Sequence, residues 1–479
     1  MKFSDLKLTT PYLSLSPLFY DMAEPMPLEN PFLITASQDA AKLLGVDENL
    51  YSDEKLLSIV NAQMQLENSR FFSMCYAGHQ FGYFVERLGD GRAINLGKVN
   101  GQNLQLKGAG LTLYSRQGDG RAVLRSSVRE FLMSEAMHGL GIETSRALAL
   151  IGSETKVARE RWESGAIVLR LSPTWIRFGT FEYFYAKGEY DKLQELADYV
   201  IAESFPELEN EEGRYLKMYA KVVGNTARTV AKWQTYGFNH GVMNTDNMSI
   251  DGRTIDYGPF AFLDDYDANY ICNHSDVEGR YSFKNQPGIA KWNLAQLARA
   301  LSPIVSHEAS LLVLDEMFSA VYEREYRSLI YGRMGLVETD AEDAQLMEWM
   351  LGALESSVID YNGFFRKLSR YDGDKSPILD SCVYRAPLDE WLDAYTLRLE
   401  KEKLSQTQRE KMMLQKNPKY ILKNHLLQEA ILKAERGEFR MVQELLKVAL
   451  APFDEHPELE NLTKPTPEYA KNRKLSCSS

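Results

Sequence analysis

The residues best able to do chemistry lie between 240 and 258, HGVMNTDNMSIDGRTIDYG. Asp251-Gly252 is a strong signal for a tight type I′ turn, with Met248 to Ile250 and Arg253 to Ile255 as its arms. If Ile250 pairs with Arg253, Asn247 stands directly opposite Asp256 on the same face, with Cβ atoms about 5 Å apart. An amide oxygen and a carboxylate at that spacing can share one hard divalent cation whose other positions go to waters and phosphate oxygens, which is how Mg²⁺ is usually held. Asp246 adjoins the pair and is free to act as a base. The bland alternative is that Asn247 and Asp256 only cap an ordinary hairpin, and the surrounding pattern weighs against it.

Two Gly-rich stretches upstream have to position this segment. Residues 89 to 110, GDGRAINLGKVNGQNLQLKGAG, hold two strand-like runs around Asn100-Gly101, a second type I′ signal. Strict two-residue pairing puts Ile94 and Leu96 on one face with Lys107 and Gln105, mixing apolar with polar. Either the loop carries a bulge or both faces are partly covered. A second GDGR, at 118 to 121, leads into RAVLRSSVREFLMSEAMHGLG. There Ser127 and Glu130 predict a capping box, and Val128, Phe131, Leu132 and Ala136 predict an apolar stripe on a helix packed against a sheet. Lys107 at a strand end can pair with Glu130, with Glu135 as a rival partner. His79, in YAGHQFG, has no nucleophile or metal partner near it in sequence and reads as a structural histidine.

A loop ending in Asn, a hairpin, then Asp-aromatic-Gly is the order of parts in protein kinases. The pattern breaks at one place. Kinase-like loops read H-x-D-x-x-x-x-N, and this chain has Val242 where that proton-accepting Asp belongs. An apolar side chain cannot take a proton. Either nucleotide is bound without chemistry, or transfer of the γ-phosphoryl group is not the reaction.

At 479 residues the chain allows roughly two or three folded units of about 150 residues each. The 55 Lys and Arg against 67 Asp and Glu give a net charge of -12, which argues against a broad nucleic-acid or membrane partner. Any phosphate must be held locally. MKFSDLKLTT lacks a signal-peptide pattern and no apolar run reaches about 18 residues, so a cytoplasmic protein is expected. Cys75, Cys272, Cys382 and Cys477 are far apart, which excludes close CxxC pairs. Cys477 lies in a polar tail that cannot fold by itself, and a thiol there can reach Cys272 in its Tyr/Asn-rich loop to form a regulatory disulfide. From about residue 331 the pattern is helical, with Tyr420 to Ala434 and Met441 to Leu450 carrying apolar residues at three- and four-residue steps.

The strings LKGAG, YSRQGDGRAVLRSSVRE, HGVMNTDNMS, DYGPFAFLDDYD and ICNHSD followed by GRYSFKNQP are long and peculiar, and on them the chain resembles the selenoprotein O family of pseudokinases across most of its length. The resemblance implies an α+β, two-lobed protein-kinase-like fold with a helical C-terminal extension: an N-lobe over 1–175, a C-lobe over 176–330 and the extension over 331–479. It implies ATP bound in a flipped orientation and AMP transferred, with Mg²⁺ or Mn²⁺, to Ser, Thr or Tyr hydroxyls of protein substrates. Carried over by motif, the nucleotide-binding residues are Gly89, Gly91, Arg92, Lys107, Asp119, Gly120, Arg170, Arg177 and Asp256. Asp246 is the proton acceptor, Asn247 and Asp256 are the metal ligands, and Glu130 is the acid that pairs with Lys107. The family's C-terminal cysteine or selenocysteine matches Cys477. A monomer is expected, with no nucleic-acid or membrane partner. Uridylyl transfer from UTP with Mn²⁺, phosphotransfer, and a non-catalytic nucleotide-binding scaffold are the alternatives.

Overall fold

The computed structural model describes residues 1–471 and Leu475. The strands of the first 172 residues are β1 (Tyr20–Met22), β2 (Phe32–Ala36), β3 (Phe72–Met74), β4 (Gly78–Gln80), β5 (Tyr83–Val85), β6 (Ala93–Val99), β7 (Gln102–Lys107), β8 (Ala122–Val123), β9 (Arg146–Ala158) and β10 (Trp162–Ser172). An antiparallel sheet runs β1-β3-β6-β7-β10-β9-β2, with β8 also paired to β10, while β4 and β5 form a hairpin of their own.

The β6–β7 turn is the one its sequence predicts. Asn100 and Gly101 both have positive φ, 47° and 76°, and Val99 pairs with Gln102 across them. The bulge lies in the strand and not in the loop. Between Asn95 and Gly97 the register shifts by one residue, so Ile94 faces Leu106 and Asn95 faces Gln105. That shift separates the two faces. Ile94, Leu104 and Leu106 join Ile167, Leu169 and Leu171 in one buried apolar layer. Gln105, Lys107 and Arg170 alternate with them along the strands and so point the other way, toward the helix Leu124–Gly139.

That helix starts four residues earlier than the capping-box reading requires. Ser127 sits inside its first turn with a buried hydroxyl, Val123 at the cap position offers no side-chain bond, and Glu130 lies mid-helix with its carboxylate committed elsewhere. The cause is β8, which runs directly into the helix. The helix is buried on nearly all sides because the sheet covers one face and the helices Asn424–Ala434 and Arg440–Leu450 cover another. At Gly139 the approach is so close that a Cβ atom would stand 1.9 Å from the Ala449 carbonyl oxygen. The first of these covering helices begins at Asn424 and not at Tyr420, because the backbone is extended at Lys423 (φ -73°, ψ 157°), whose N–H donates to the Ile421 carbonyl (2.9 Å).

Helices dominate after Ser172, including Phe178–Lys187, Arg214–Tyr236, Gln286–Leu301 and His307–Met334. Arg333 ties several together. Its buried guanidinium donates to Asn417 Oδ1 (2.8 Å), Asn362 Oδ1 (3.0 Å) and the Thr235 carbonyl, and lies 3.8 Å from the Phe365 ring centroid. Near the C-terminus the Thr466 hydroxyl donates to Asp264, Lys471 pairs with Asp265 at 2.7 Å, and the Leu475 N–H donates to the Cys272 carbonyl at 2.9 Å. Cys477, and with it the disulfide expectation, lies outside the described residues. Among the described residues no helix is long and apolar enough to cross a membrane.

An exposed helical Gly→Ala change stabilises by about 1 kcal/mol. Gly139→Ala reverses that sign, since the new methyl meets a backbone carbonyl that cannot move alone. A loss of about 1–3 kcal/mol is expected in urea denaturation.

Candidate active site

Lys107, at the end of β7, places its Nζ 2.5 Å from Glu130 Oε2 and 3.5 Å from Asp256 Oδ1. Arg170, opposite Gln105 in β10, donates to Glu130 Oε1 and Asp256 Oδ1, both at 2.6 Å, and also to Gln105 Oε1. Arg177 donates to Asp256 Oδ2 at 2.6 Å and to the Asp246 carbonyl at 2.8 Å, with its guanidinium 4.4 Å from the Tyr76 ring centroid. Glu135, the rival partner for Lys107, is taken by Arg146 at 2.7 Å. Arg170 and Arg177 are among the most buried side chains of the molecule.

Asp256 therefore carries three cations on one carboxylate. It does so from a left-handed backbone conformation (φ 58°), which is costly for a residue with a Cβ. Burial alone would raise its carboxyl, but Arg177, Arg170 and Lys107 outweigh burial and hold it well below the ordinary carboxylate range. Asp246 differs. Burial pushes its carboxyl up to about 7, against the pull of Arg177. Its Oδ2 accepts from Gln80 Nε2 at 3.3 Å, while its buried Oδ1 has no hydrogen-bond partner among the described residues.

The hairpin after the loop departs from the expected register. Met248 bridges Thr254, the Gly252 N–H donates to the Ser249 carbonyl at 3.0 Å, and the residues from Ser249 to Arg253 form a wider loop held by Asp251 Oδ1, which accepts from the Ser249 hydroxyl (2.7 Å). Asn247 is thus not paired opposite Asp256. The reason is that each arm bonds outward: Ser249 bridges Arg177 and Thr254 bridges Thr144. Asn247 instead ends the short turn Thr245–Asn247, where its Nδ2 donates to the Val242 carbonyl at 3.0 Å and leaves Oδ1 as the acceptor. Both residues still border the same cleft. His240 ties the loop down, with Nε2 donating to the Ile255 carbonyl at 3.1 Å.

The cleft has a volume of about 500 Å³. Lys107, Arg170, Arg177, Asp246, Asn247 and Asp256 form its inner wall, and Glu130 stands behind Lys107. Gly89, Gly91 and Arg92 line one side of the mouth, and Asp119 with Gly120 line another. Gly89 (φ 82°) lies where a Cβ would come within 2.3 Å of the Tyr114 ring, and Gly120 (φ 68°) where one would come within 2.1 Å of the Gly110 carbonyl. Arg92 is exposed and makes no ion pair among the described residues, so its charge is available to an anion. Asp119 is committed to Arg159, at 2.7 and 3.0 Å, and fixes the loop rather than facing a ligand alone.

Sequence reasoning missed Tyr76 and Gln80, whose only signal is their place in the string that contains His79. His79 itself has a partner after all, 103 residues away: Nδ1 lies 2.6 Å from Glu182 Oε1, and Glu182 also receives the Thr245 hydroxyl. The oxygen set fits a hard divalent cation. Asp256 and Asn247 Oδ1, both at the cleft, are oxygen donors of the right type, and among the described residues no cluster of three or more His, Cys, Asp or Glu competes with them. Two protein side chains do not complete such a shell, which needs further oxygen ligands from outside the chain.

The family model described as protein adenylyltransferase SelO matches residues 2–449. This chain belongs to the SelO family. Among its SelO-family relatives are proteins named protein nucleotidyltransferase YdiU from Thioalkalivibrio sulfidiphilus, 45% identical over 100% of both chains, from Pseudomonas fluorescens, 45% identical over 95% of both, and from Vibrio parahaemolyticus, 44% identical over 98% of both. The SelO-family chain is an enzyme, a nucleotidyltransferase.

Asp256→Asn removes the anion that three cations share and is expected to cost about 3 kcal/mol in denaturant unfolding at neutral pH. Because the Asp256 carboxyl titrates lower in the folded chain than in the unfolded one, its contribution is present above about pH 4 and drains away as pH falls further. The gap between parent and variant should therefore narrow on acidification.

Proposed function

We propose that this chain transfers AMP from ATP to Ser, Thr or Tyr hydroxyls of protein acceptors, with Mg²⁺ or Mn²⁺, and releases pyrophosphate. The observation that carries the reading is Asp246: a buried carboxylate with one unpartnered oxygen, beside a cation-lined cleft, in a loop whose kinase-type base is replaced by Val242. The acceptor oxygen attacks the α-phosphorus and forms the new P–O bond. The bond from the α-phosphorus to the bridging oxygen breaks, its electron pair leaves with pyrophosphate, and the hydroxyl proton passes to Asp246. Arg92, Lys107, Arg170 and Arg177 supply positive charge for the triphosphate, and Arg170 and Arg177 exchange part of their hold on Asp256 for phosphate oxygens. Asn247 and Asp256 would hold the metal ion, which when bound screens phosphate charge and polarises the α-phosphoryl group.

The same reading takes the sheet and the Leu124–Gly139 helix as the N-lobe of a protein-kinase-like fold (1–175), the segment with the catalytic loop as its C-lobe (176–330), and the rest as a helical extension (331–479). Support comes from the parts themselves: a strand lysine paired with a helix glutamate, then an Asn-ended loop, then Asp-Tyr-Gly.

Incubation with α-labelled and γ-labelled ATP tests the reaction. Label should reach protein only from the α position, and label from γ alone would establish phosphotransfer instead. Parallel reactions with α-labelled UTP identify the preferred base. Asp246→Asn should lower transfer by about 100-fold or more with little change in melting temperature, and chelation should abolish transfer until Mg²⁺ or Mn²⁺ is restored.

A further inference from the structure

The β4–β5 hairpin lies outside the main sheet, borders the cleft through Gln80 and Phe81, and is bound to the loop that carries Asp246. The His79 N–H donates to the Thr245 hydroxyl at 2.7 Å, the Phe81 N–H to the Tyr281 hydroxyl at 2.9 Å, and Gln80 Nε2 to Asp246 Oδ2 at 3.3 Å. Its turn is tight, with positive φ at Phe81 (51°) and Gly82 (88°) and Gln80 paired directly with Tyr83. Directly paired residues project from the same face of an antiparallel ribbon. Tyr83 therefore shares the face on which Gln80 reaches the base, whereas His79 and Phe84, with ring centroids 5.2 Å apart, occupy the other, where His79 meets Trp292.

Tyr83 is 78% exposed. Against the turn lies Arg280, whose guanidinium carbon would be 3.4 Å from a Cβ at Gly82. Arg280 lies over the Trp292 ring at 4.7 Å and makes no ion pair among the described residues. Asp276 does not neutralise it, since its two carboxylate oxygens accept the backbone N–H groups of Arg280 and Tyr281. An exposed aromatic ring thus shares the hairpin face of Gln80, the residue that reaches Asp246, and a cation without a carboxylate lies against the turn of the same hairpin.

We propose that Tyr83 and Arg280 bind the acceptor polypeptide: the Tyr83 ring packs on the segment that carries the hydroxyl, and Arg280 takes a carboxylate beside it. Acceptors with Asp or Glu close to the modified residue are then preferred. The inference rests on the transfer reading above and adds its acceptor chemistry. Gln80 links the two functions, because the hairpin that positions the polypeptide also holds Oδ2 of Asp246. Tyr83 and Arg280 do not line the nucleotide cleft, so their effects should fall on the acceptor alone.

The experiment uses the full chain, α-labelled ATP with Mg²⁺ or Mn²⁺, and a library of synthetic peptides, each with one Ser, Thr or Tyr between randomised positions. Peptides labelled by the parent should be enriched in Asp and Glu next to the hydroxyl residue. Arg280→Glu should turn that enrichment toward Lys and Arg, and Arg280→Lys should keep the acidic preference. Tyr83→Ala should raise the peptide concentration at half-maximal rate by about tenfold, with the KM for ATP and the melting temperature unchanged, a split that a merely structural role does not produce. Absence of an acidic bias in the parent, the same profile in Arg280→Glu, or an unchanged peptide requirement in Tyr83→Ala overturns the proposal while leaving nucleotide transfer intact. If the parent labels no peptide and no protein with either ATP or UTP, the transfer reading itself falls and this proposal with it.

Discussion

The carboxylate of Asp256, held by Arg170, Arg177 and Lys107 at once, is the interaction on which the rest of the site depends. The three cations come from β7, β10 and the start of the helix Phe178–Lys187, and the anion from the segment after the hairpin. None of these groups is stable in a buried site alone, since each unpaired charge there would cost several kcal/mol. The anion offsets part of the positive charge and fixes four stretches of chain. Glu130 joins from the Leu124–Gly139 helix through Lys107 and Arg170, which binds that helix to the same network. The left-handed backbone at Asp256 is tolerated because three ion pairs over-determine it.

Polarity across the sheet follows from the same constraint. One face of β6, β7 and β10 must be apolar to build a core, and the other must carry Gln105, Lys107 and Arg170 into contact with Glu130 and Asp256. A plain hairpin around Asn100-Gly101 cannot satisfy both. The bulge at Leu96 supplies the missing residue, so the cleft side and the core side of the sheet are decided by one irregularity in β6.

Part of the site was legible from residue chemistry, namely Asp246, Asn247, Asp256, Lys107 and Glu130, whereas Arg170, Arg177 and the glycines of the two GDGR turns came from the family resemblance; all but Glu130, which stands behind Lys107, line one cleft. What stayed illegible depends on partners far along the chain. The arms on either side of Asp251-Gly252 read as a hairpin, yet Ser249 bonds to Arg177 and Thr254 to Thr144, and no local pattern encodes those partners. Ser127 and Glu130 have the spacing of a capping box, but β8 feeds the helix from upstream and the glutamate is claimed by Lys107 and Arg170. Tyr76 and Gln80 gain their meaning only when YAGHQFG is laid on the catalytic loop. Within the fold, local propensity located the turns and helices, and long-range pairing decided register and ends.

The close contact between Gly139 and Ala449 has a consequence for how the enzyme comes into being. The glutamate that pairs with Lys107 sits on a helix whose outer face is covered by residues made some three hundred positions later. On the ribosome every residue of the cleft emerges well before that cover exists, and until it arrives the helix exposes apolar surface on that side. Catalytic competence is thus coupled to synthesis of the C-terminal helices, and a nascent chain holds all the chemistry of the site without the support that aligns it.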